Sequence, residues 1–445
     1  MSNREVNRWG MYSWANHGWS ASVNTVLIGP WLLTLATTAA AGPGGASDGD
    51  ATLFGFGPFT LRAEAYPSFM ITVVSLLQVV LLPMFGAAAD ARGIRRKLLA
   101  VTCVIGALCT ASLGLVGPGS NAGWLYAGLL FLLGTIVFGA NDVVYNAFLP
   151  QLVPPSERDW ASGRGFVLGY LGAGLVLSVS LALLGLHDVA GLTESAAVRW
   201  CFVLAGLWWA GFGLWAIAGI SEHRGAITTR PSLTGLRELA DALRMLRRMP
   251  HSFRFLLAFL FITDGMSAVT GLASTYITHE LFGSDAGAAA GFLFGLILMI
   301  QFLAVGGSWF WPRVSPRLGS KRTILITLVL WCGVVVYAYA AMRTLAEAVV
   351  LGVVIGAVMG GTQALTRSVF SQLIPIGRES TFFGLYAVVD KGTSWVAPLL
   401  FTLVVNATGS YRQAILSLIV IFLAGIALLL ATNIDRARRE STADG

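Results

Sequence analysis

The segment Gln151-Leu152-Val153-Pro154 closes a long apolar run, and 221 positions later Gln372-Leu373-Ile374-Pro375 closes another. Each copy opens a short polar loop holding one Glu and one Arg. A second echo lies upstream: Arg92-Gly93-Ile94-Arg95-Arg96 against Arg317-Leu318-Gly319-Ser320-Lys321-Arg322, with Gly93 and Gly319 separated by 226 positions. Two independent segments repeating at nearly the same offset, about half of 445 residues, mean that the chain is two similar halves.

Composition says where those halves live. Charged residues make up 11% of the chain, hydrophobic residues 56%, and mean hydropathy is +0.74. A soluble domain carries about 25% charged residues, so this chain reads as an integral membrane protein. Runs of about 20 apolar residues, long enough to span lipid, are expected near 18–40, 66–89, 97–117, 122–149, 162–186, 198–220, 253–278, 287–312, 322–342, 346–370, 381–406 and 411–433. The expected fold is therefore an all-α membrane protein of twelve transmembrane helices in two pseudo-symmetric six-helix bundles, 1–220 and 253–445. A linker, 221–252, joins them. Within it Ser232 to Met249 reads as an amphipathic helix, with Leu236, Leu239, Leu243 and Leu246 on one stripe and arginines around it. It is expected to lie on the membrane surface, its arginines near anionic headgroups.

Of the 29 Lys and Arg, only Arg62, Arg199, Arg343 and Arg412 fall in the odd-numbered links, and Lys391 lies within a span. By the positive-inside rule both termini are cytoplasmic. The net charge of +7 is then a topology signal, and no nucleic-acid partner is expected because the charges are spread over many short loops. Residues 1–17 read as a polar lead into the first span, without a cleavage site. The first external loop, about 41–65, reads as long and mobile. The four cysteines fall inside spans, and neither a disulfide framework nor a metal motif is suggested. Lysines number only three, Lys97, Lys321 and Lys391, against abundant Arg, Ala and Gly. That points to a GC-rich bacterium and hence to the inner membrane.

Six spans, a long link and six more, with a basic Gly-containing loop after the second span of each half, resemble the major facilitator superfamily. Its signature loop, Gly-x-x-x-Asp-Arg-x-Gly-Arg-Arg, stands here as Gly86-Ala87-Ala88-Ala89-Asp90-Ala91-Arg92-Gly93-Ile94-Arg95. Ala91 and Ile94 depart from it, and the second copy has Pro316 where the Asp would be. Gly93 permits a tight turn between helices, which leaves Asp90 within reach of Arg92 and Arg95. Tyr12-Ser13-Trp14-Ala15-Asn16, Asn146-Ala147-Phe148-Leu149-Pro150, Gly165 to Gly172, Arg367-Ser368 and Phe382-Phe383-Gly384-Leu385-Tyr386 are similar to the vacuole-effluxer-like branch, named for a fungal autophagy-related exporter of amino acids. That branch usually shows Tyr-Asp-Trp-Ala-Asn, and Ser13 stands here in place of the acid. The resemblance implies a transporter working by alternating access, without a cofactor. Asp90, Arg92, Gly93 and Arg95 would form a cytoplasmic gating loop with Gly319 and Lys321 as its second copy.

An ionisable side chain in the membrane core costs roughly 2.5–3.5 kcal/mol on insertion scales, so each one needs a reason. On the fourth span Asp142, Tyr145 and Asn146 are spaced i, i+3, i+4 and share a helix face. The repeat offset of 221 maps them onto Gln363, Thr366 and Arg367 of the tenth. Two such faces would converge on a central cavity or its inner gate. There Asp142 could titrate and Arg367 could clamp a carboxylate, or Arg367 could instead neutralise Glu379. Asp390 and Lys391 are adjacent on the eleventh span, so about 100° of helix rotation should keep them from pairing directly. Asp264 on the seventh span is a candidate proton site, or is satisfied by nearby hydroxyls. Asn16 and His17 make a polar entry to the first span, with His17 expected to be hydrated at the boundary. Gln78 and Gln301 read as helix–helix hydrogen-bonders.

The substrate and ion pathway is thus expected at Asn16, Asp142, Tyr145, Asn146, Asp264, Gln363, Thr366, Arg367, Asp390 and Lys391. The partners expected are a small-molecule substrate, by resemblance a neutral amino acid, together with protons and the bilayer, and the chain is expected to act as a monomer. An exporter of drugs, lipids or other amphipathic compounds is the alternative. A membrane-embedded enzyme is disfavoured, because His17, His187, His223, His251 and His279 make no metal spacing and no nucleophile–base set is visible. A non-transporting receptor fits the intramembrane charges less well.

Overall fold

A computed structural model of the chain describes residues 3–41, 52–56, 59–120, 122–221, 236–392 and 395–443. Among the described residues twelve helices are long and apolar enough to cross a bilayer: Asn3–Ala41, Ala63–Arg92, Arg95–Leu113, Gly123–Leu152, Pro155–Gly185, Glu194–Ala218, Pro250–Phe282, Gly287–Leu318, Ser320–Ala340, Leu345–Ser371, Glu379–Thr408 and Tyr411–Ala431. In hydrocarbon each backbone N–H and C=O needs a partner, and a helix supplies it within the segment. An even number of crossings puts both termini and the even-numbered links at one end, called here the terminal end.

Each half has its own buried core. One gathers Trp9, Trp19, Phe131 and Trp209 from the first six spans. The other gathers Phe255, Trp331, Phe370 and Phe422 from the last six, and also takes in Leu82, Ala140 and Val143 of the first half. With Ala147, also in that core, they mark where the halves meet.

The first span begins at Asn3, so the expected polar lead is itself part of the bundle. Two of its buried aromatic groups pair inside the protein: Trp9 Nε1 donates to Tyr145 O at 2.9 Å, and Tyr12 OH donates to Asn141 Oδ1. Side chains that face protein lower the hydropathy of a span without removing it from the membrane. The span continues through a π-helical stretch, Ser20–Leu27, to Ile28–Ala41. Such wide turns recur at functional sites.

The link between the first and second spans carries a hairpin, Thr52–Phe56 paired antiparallel with Phe59–Arg62; residues 42–51 and 57–58 of the expected mobile loop lie outside the described residues. The linker helix runs Leu236–Arg248, and residues 222–235 lie outside the described residues. Its buried stripe is Ala242, Leu246 and, just past its end, Met249, while Leu243 is exposed. The helix packs on the second, seventh and eleventh spans, so of the expected stripe Leu246 is buried and Leu243 is not, while the side chains of Leu236 and Leu239 lie outside the described residues. A last helix, Ile434–Ala443, is tied to the seventh span where Glu440 Oε2 accepts from His251 N.

The turns that the repeat identified close with left-handed or positive-φ glycines, Gly93 at φ 61° and Gly319 at φ 85°. The halves touch through the second span against the eleventh and the fifth against the eighth and tenth. At the first contact Gly384 lies so close to Pro83 that an added Cβ would stand 2.7 Å from its Cα. At the second, a Cβ on Gly163 would stand 2.5 Å from Pro312 Cγ. Gly163 and Gly384 are themselves 221 positions apart.

Candidate functional site

Asn146 and Arg367 are repeat mates, and they hydrogen-bond to each other across the two halves: Arg367 Nη1 donates to Asn146 Oδ1 at 3.1 Å. A residue meeting its own repeat mate lies on the axis that relates the halves. Arg367 is 3% exposed, and its other bonds go to the fifth span, Nε to Ser162 Oγ at 2.9 Å and Nη2 to Ser162 O at 2.8 Å. The Ser162 hydroxyl in turn donates to Ala364 O at 2.7 Å. The guanidinium sits 4.2 Å from the Phe166 ring centroid, 5.0 Å from Trp9 and 5.7 Å from Tyr145. These lie within cation–π range. Among the described residues no carboxylate lies within 4.0 Å of it. Glu379, the acid that Arg367 could alternatively have neutralised, pairs with Arg95.

Above this floor opens a cavity of about 350 Å³, lined by the first, fourth, fifth, seventh, eighth, tenth and eleventh spans. Asn16, Asp142, Asn146, Gln363, Arg367, Asp390 and Lys391 all line it. Tyr145 and Thr366 do not. Residues i and i+4 are only about 40° apart on a helix, whereas i+3 swings about 60° to the other side. Tyr145 therefore turns to stack on Trp9 at 4.6 Å, and Thr366 bonds back to Thr362 O. Asn146 Nδ2 donates to Asp142 Oδ2 at 3.1 Å. Tyr170 OH donates to Gln363 Oε1, which ties the halves a turn higher.

Lys391 Nζ lies 2.7 Å from Asp390 Oδ2, against the expectation that the two would not pair. The pair stands in the last turn of the stretch Glu379–Gly392, where the flexible lysine stem can fold back across the rotation between the two Cβ atoms. Asp264 is placed elsewhere. It is 2% exposed, and Oδ2 accepts from Ala397 N at 2.8 Å, in the first turn of the helix Val396–Thr408. A carboxylate at a helix N-terminus satisfies a backbone donor that the helix cannot. Backbone, rather than hydroxyls, holds this acid.

Several lining groups were not expected as site residues. His17 lies in the cavity, not at a wet boundary, with Nδ1 3.1 Å from Ser13 Oγ. Phe166, Tyr170 and Tyr386 supply aromatic walls. Gln301 lines the cavity with Oε1 unpartnered, and Asn16 Oδ1 is likewise buried without a partner. Gln78 does bridge helices as expected, donating to Thr135 O at 2.7 Å. The aromatics are invisible to a search for charges, and only the fold tells a cavity ring from a lipid-facing one.

The halves are fastened at the terminal end below this cavity. Asp90 accepts from Arg95 Nη2 at 2.6 Å, from Ser380 N at 3.0 Å and from Thr381 N at 2.7 Å, so it caps the eleventh span from the other half. Arg95 Nη2 also donates to Glu379 Oε2 at 2.6 Å. All three charged side chains are at most 8% exposed. Negative charge at a helix N-terminus is favourable. The second copy is built differently: Asp159, at the start of the fifth span, accepts from Ser315 Oγ at 2.5 Å and Ser320 Oγ at 2.7 Å. Lys321 takes no part in this contact. It donates to Leu430 O and Thr432 O within its own half, at 2.9 and 2.7 Å. Arg92 is exposed.

The family model described as "Vacuole effluxer Atg22 like" matches residues 1–442. The uncharacterized MFS-type transporter YxiO of Bacillus subtilis is 29% identical over 432 residues, covering 96% of this chain and 94% of that protein. Autophagy-related protein 22-2 of Emericella nidulans is 25% identical, covering 91% and 83%. Among solved structures, the MFS transporter FucP in the outward conformation superposes with a TM-score of 0.70 at 13% identity, covering 97% of this chain and all of that one. A two-half bundle around a polar central cavity, with this family match over nearly its whole length, is a multi-pass membrane transporter: the chain belongs to the vacuole-effluxer-like family of the major facilitator superfamily.

Proposed function

We propose that the protein carries a small zwitterion, a neutral amino acid, across a bacterial inner membrane by alternating access. The observation that carries this reading is the pairing of a buried guanidinium that has no carboxylate partner, Arg367, with Asp142 in one cavity. Arg367 suits a carboxylate because its planar fork matches two oxygens. Asp142 and the unpartnered oxygens of Asn16 and Gln301 suit an ammonium, which only donates. The volume falls in the range of about 300–1,000 Å³ typical of small-ligand sites. Most of the residues lining the cavity carry polar or charged side chains, which weighs against the exporter of drugs or lipids.

The terminal end is cytoplasmic in this reading, since the odd-numbered links carry so few basic residues. With the halves fastened at that end, the cavity faces outward. Proton coupling is assigned to Asp142, because Asp264 is committed to the helix at Ala397. Asp142→Asn should then make uptake into proteoliposomes independent of a pH gradient.

The direct test is a thermal-shift screen of the purified protein against amino acids, sugars, peptides and amphipathic drugs. A ligand at 100 times its Kd stabilises the folded state by about 2.7 kcal/mol. Stabilisation by a neutral amino acid, lost in Arg367→Ala, is the expected result. Stabilisation by amphipathic compounds alone, indifferent to that substitution, overturns it.

A further inference from the structure

The bonds of Arg367 do two things at once. They fill the floor of the cavity, and they join the halves: the guanidinium belongs to the tenth span, and each of its nitrogens donates to the fourth or fifth. Between Arg367 and Asp142 stands Asn146, with its carbonyl oxygen on the guanidinium and its NH2 on the carboxylate. That is the polarity of an amino acid's own ends, a carboxylate toward Arg367 and an ammonium toward Asp142. Asn146 offers only partial charges, whereas a zwitterion offers full ones.

We infer that Asn146 is a built-in substitute for the substrate and that Arg367 is the bolt it holds, so that a zwitterion entering the cavity takes over both charges and loosens the joint between the halves. This rests on the zwitterion reading above. Each guanidinium nitrogen already makes one bond, which leaves one N–H on Nη1 and one on Nη2 for the arriving carboxylate. A charge-assisted bond there is stronger than the neutral one to the Asn146 amide. As the guanidinium turns to it, the bonds to Asn146 Oδ1 and Ser162 weaken, and these are bonds between halves. Occupancy is thereby coupled to release of the closed end, and a ligand can shift that equilibrium only by such differential contact.

The test reads the joint itself. Spin labels at Lys97 and Ile376, exposed on the two halves near the closed end, report its distance distribution in a background without the four native cysteines. A neutral amino acid that stabilises the protein should lengthen that distance. Its N-acetyl derivative and its methyl ester, each lacking one charge, should do so far less. Ser162→Ala and Asn146→Ala should loosen the joint in ligand-free protein. Asn146→Asp, which gives Arg367 a full charge, should hold the short distance and weaken amino-acid binding at least tenfold. If the amino acid binds but the distance stays short, and both alanine variants match the parent when empty, Arg367 is no bolt although the substrate reading stands. If the N-acetyl derivative acts as well as the zwitterion, Asn146 is not its substitute. If no amino acid binds, the substrate reading fails and the coupling with it.

Discussion

The second span meets the eleventh as the fifth meets the eighth, but the two contacts are held by different chemistry. Both seat a glycine against a proline of the partner helix, Gly384 on Pro83 and Gly163 on Pro312. At the first, a buried Asp90–Arg95–Glu379 cluster caps a helix across the interface. At the second, Asp159 is met by two serine hydroxyls, and its Oδ1 is buried without a partner. The acid has changed sides: in the first it stands in the last turn of the second span, in the second at the start of the fifth, and Pro316 occupies the matching place in the eighth. Duplication preserved the backbone packing, which any departure would jam, and left the polar fastening free to be rebuilt.

If that is so, the two fastenings should differ in strength. Asp90→Ala leaves Arg95 and the first turn of the eleventh span short of a buried partner, at a cost of about 3–5 kcal/mol to the closed contact. Asp159→Ala removes hydrogen bonds to one charged acceptor and should cost about 1.5–3 kcal/mol. Spin-label distances across the terminal end in the two variants rank them, and equal opening would erase the contrast.

Backbone packing should instead be symmetric. Gly163→Ala and Gly384→Ala each push a Cβ inside 3.0 Å of the neighbouring helix. Each should destabilise the closed contact by about 1–3 kcal/mol, read as a matched fall in thermal stability and in transport. A strong effect at only one of them would mean that the halves do not share a packing rule.

The smallest effect separates Lys321 from its repeat mate Arg95. Lys321 serves carbonyl oxygens at the end of the twelfth span. Lys321→Ala should therefore cost about 1 kcal/mol of stability and leave the distance between halves unchanged. A change in that distance would place Lys321 in the gate after all.

Much of this was legible in the chain. The repeat at 221 places Asn146 and Arg367 on matching helix faces by itself, because helix periodicity and duplication act on sequence positions directly. The same reasoning erred with Tyr145 and Thr366, where i+3 and i+4 look equivalent until the helix is seen from the cavity. It also erred with Lys391, whose flexible stem ignores the direction of its Cβ. Residues 1–17 read as a lead because hydropathy measures solvent preference, whereas Trp9 and Tyr12 find their partners inside the protein.

The sequence by itself determined the twelve spans, the two halves and the few charges worth explaining, since the bilayer penalises every polar group that lacks a reason to be there. Only the tertiary structure decided that Arg367 has neutral partners in the opposite half, that Asp264 caps a helix, and that the acid of the second fastening sits on the fifth span. Those are questions of which side chains meet across distant segments. Hydrogen-bond geometry answers them, and no periodicity along the chain carries that information.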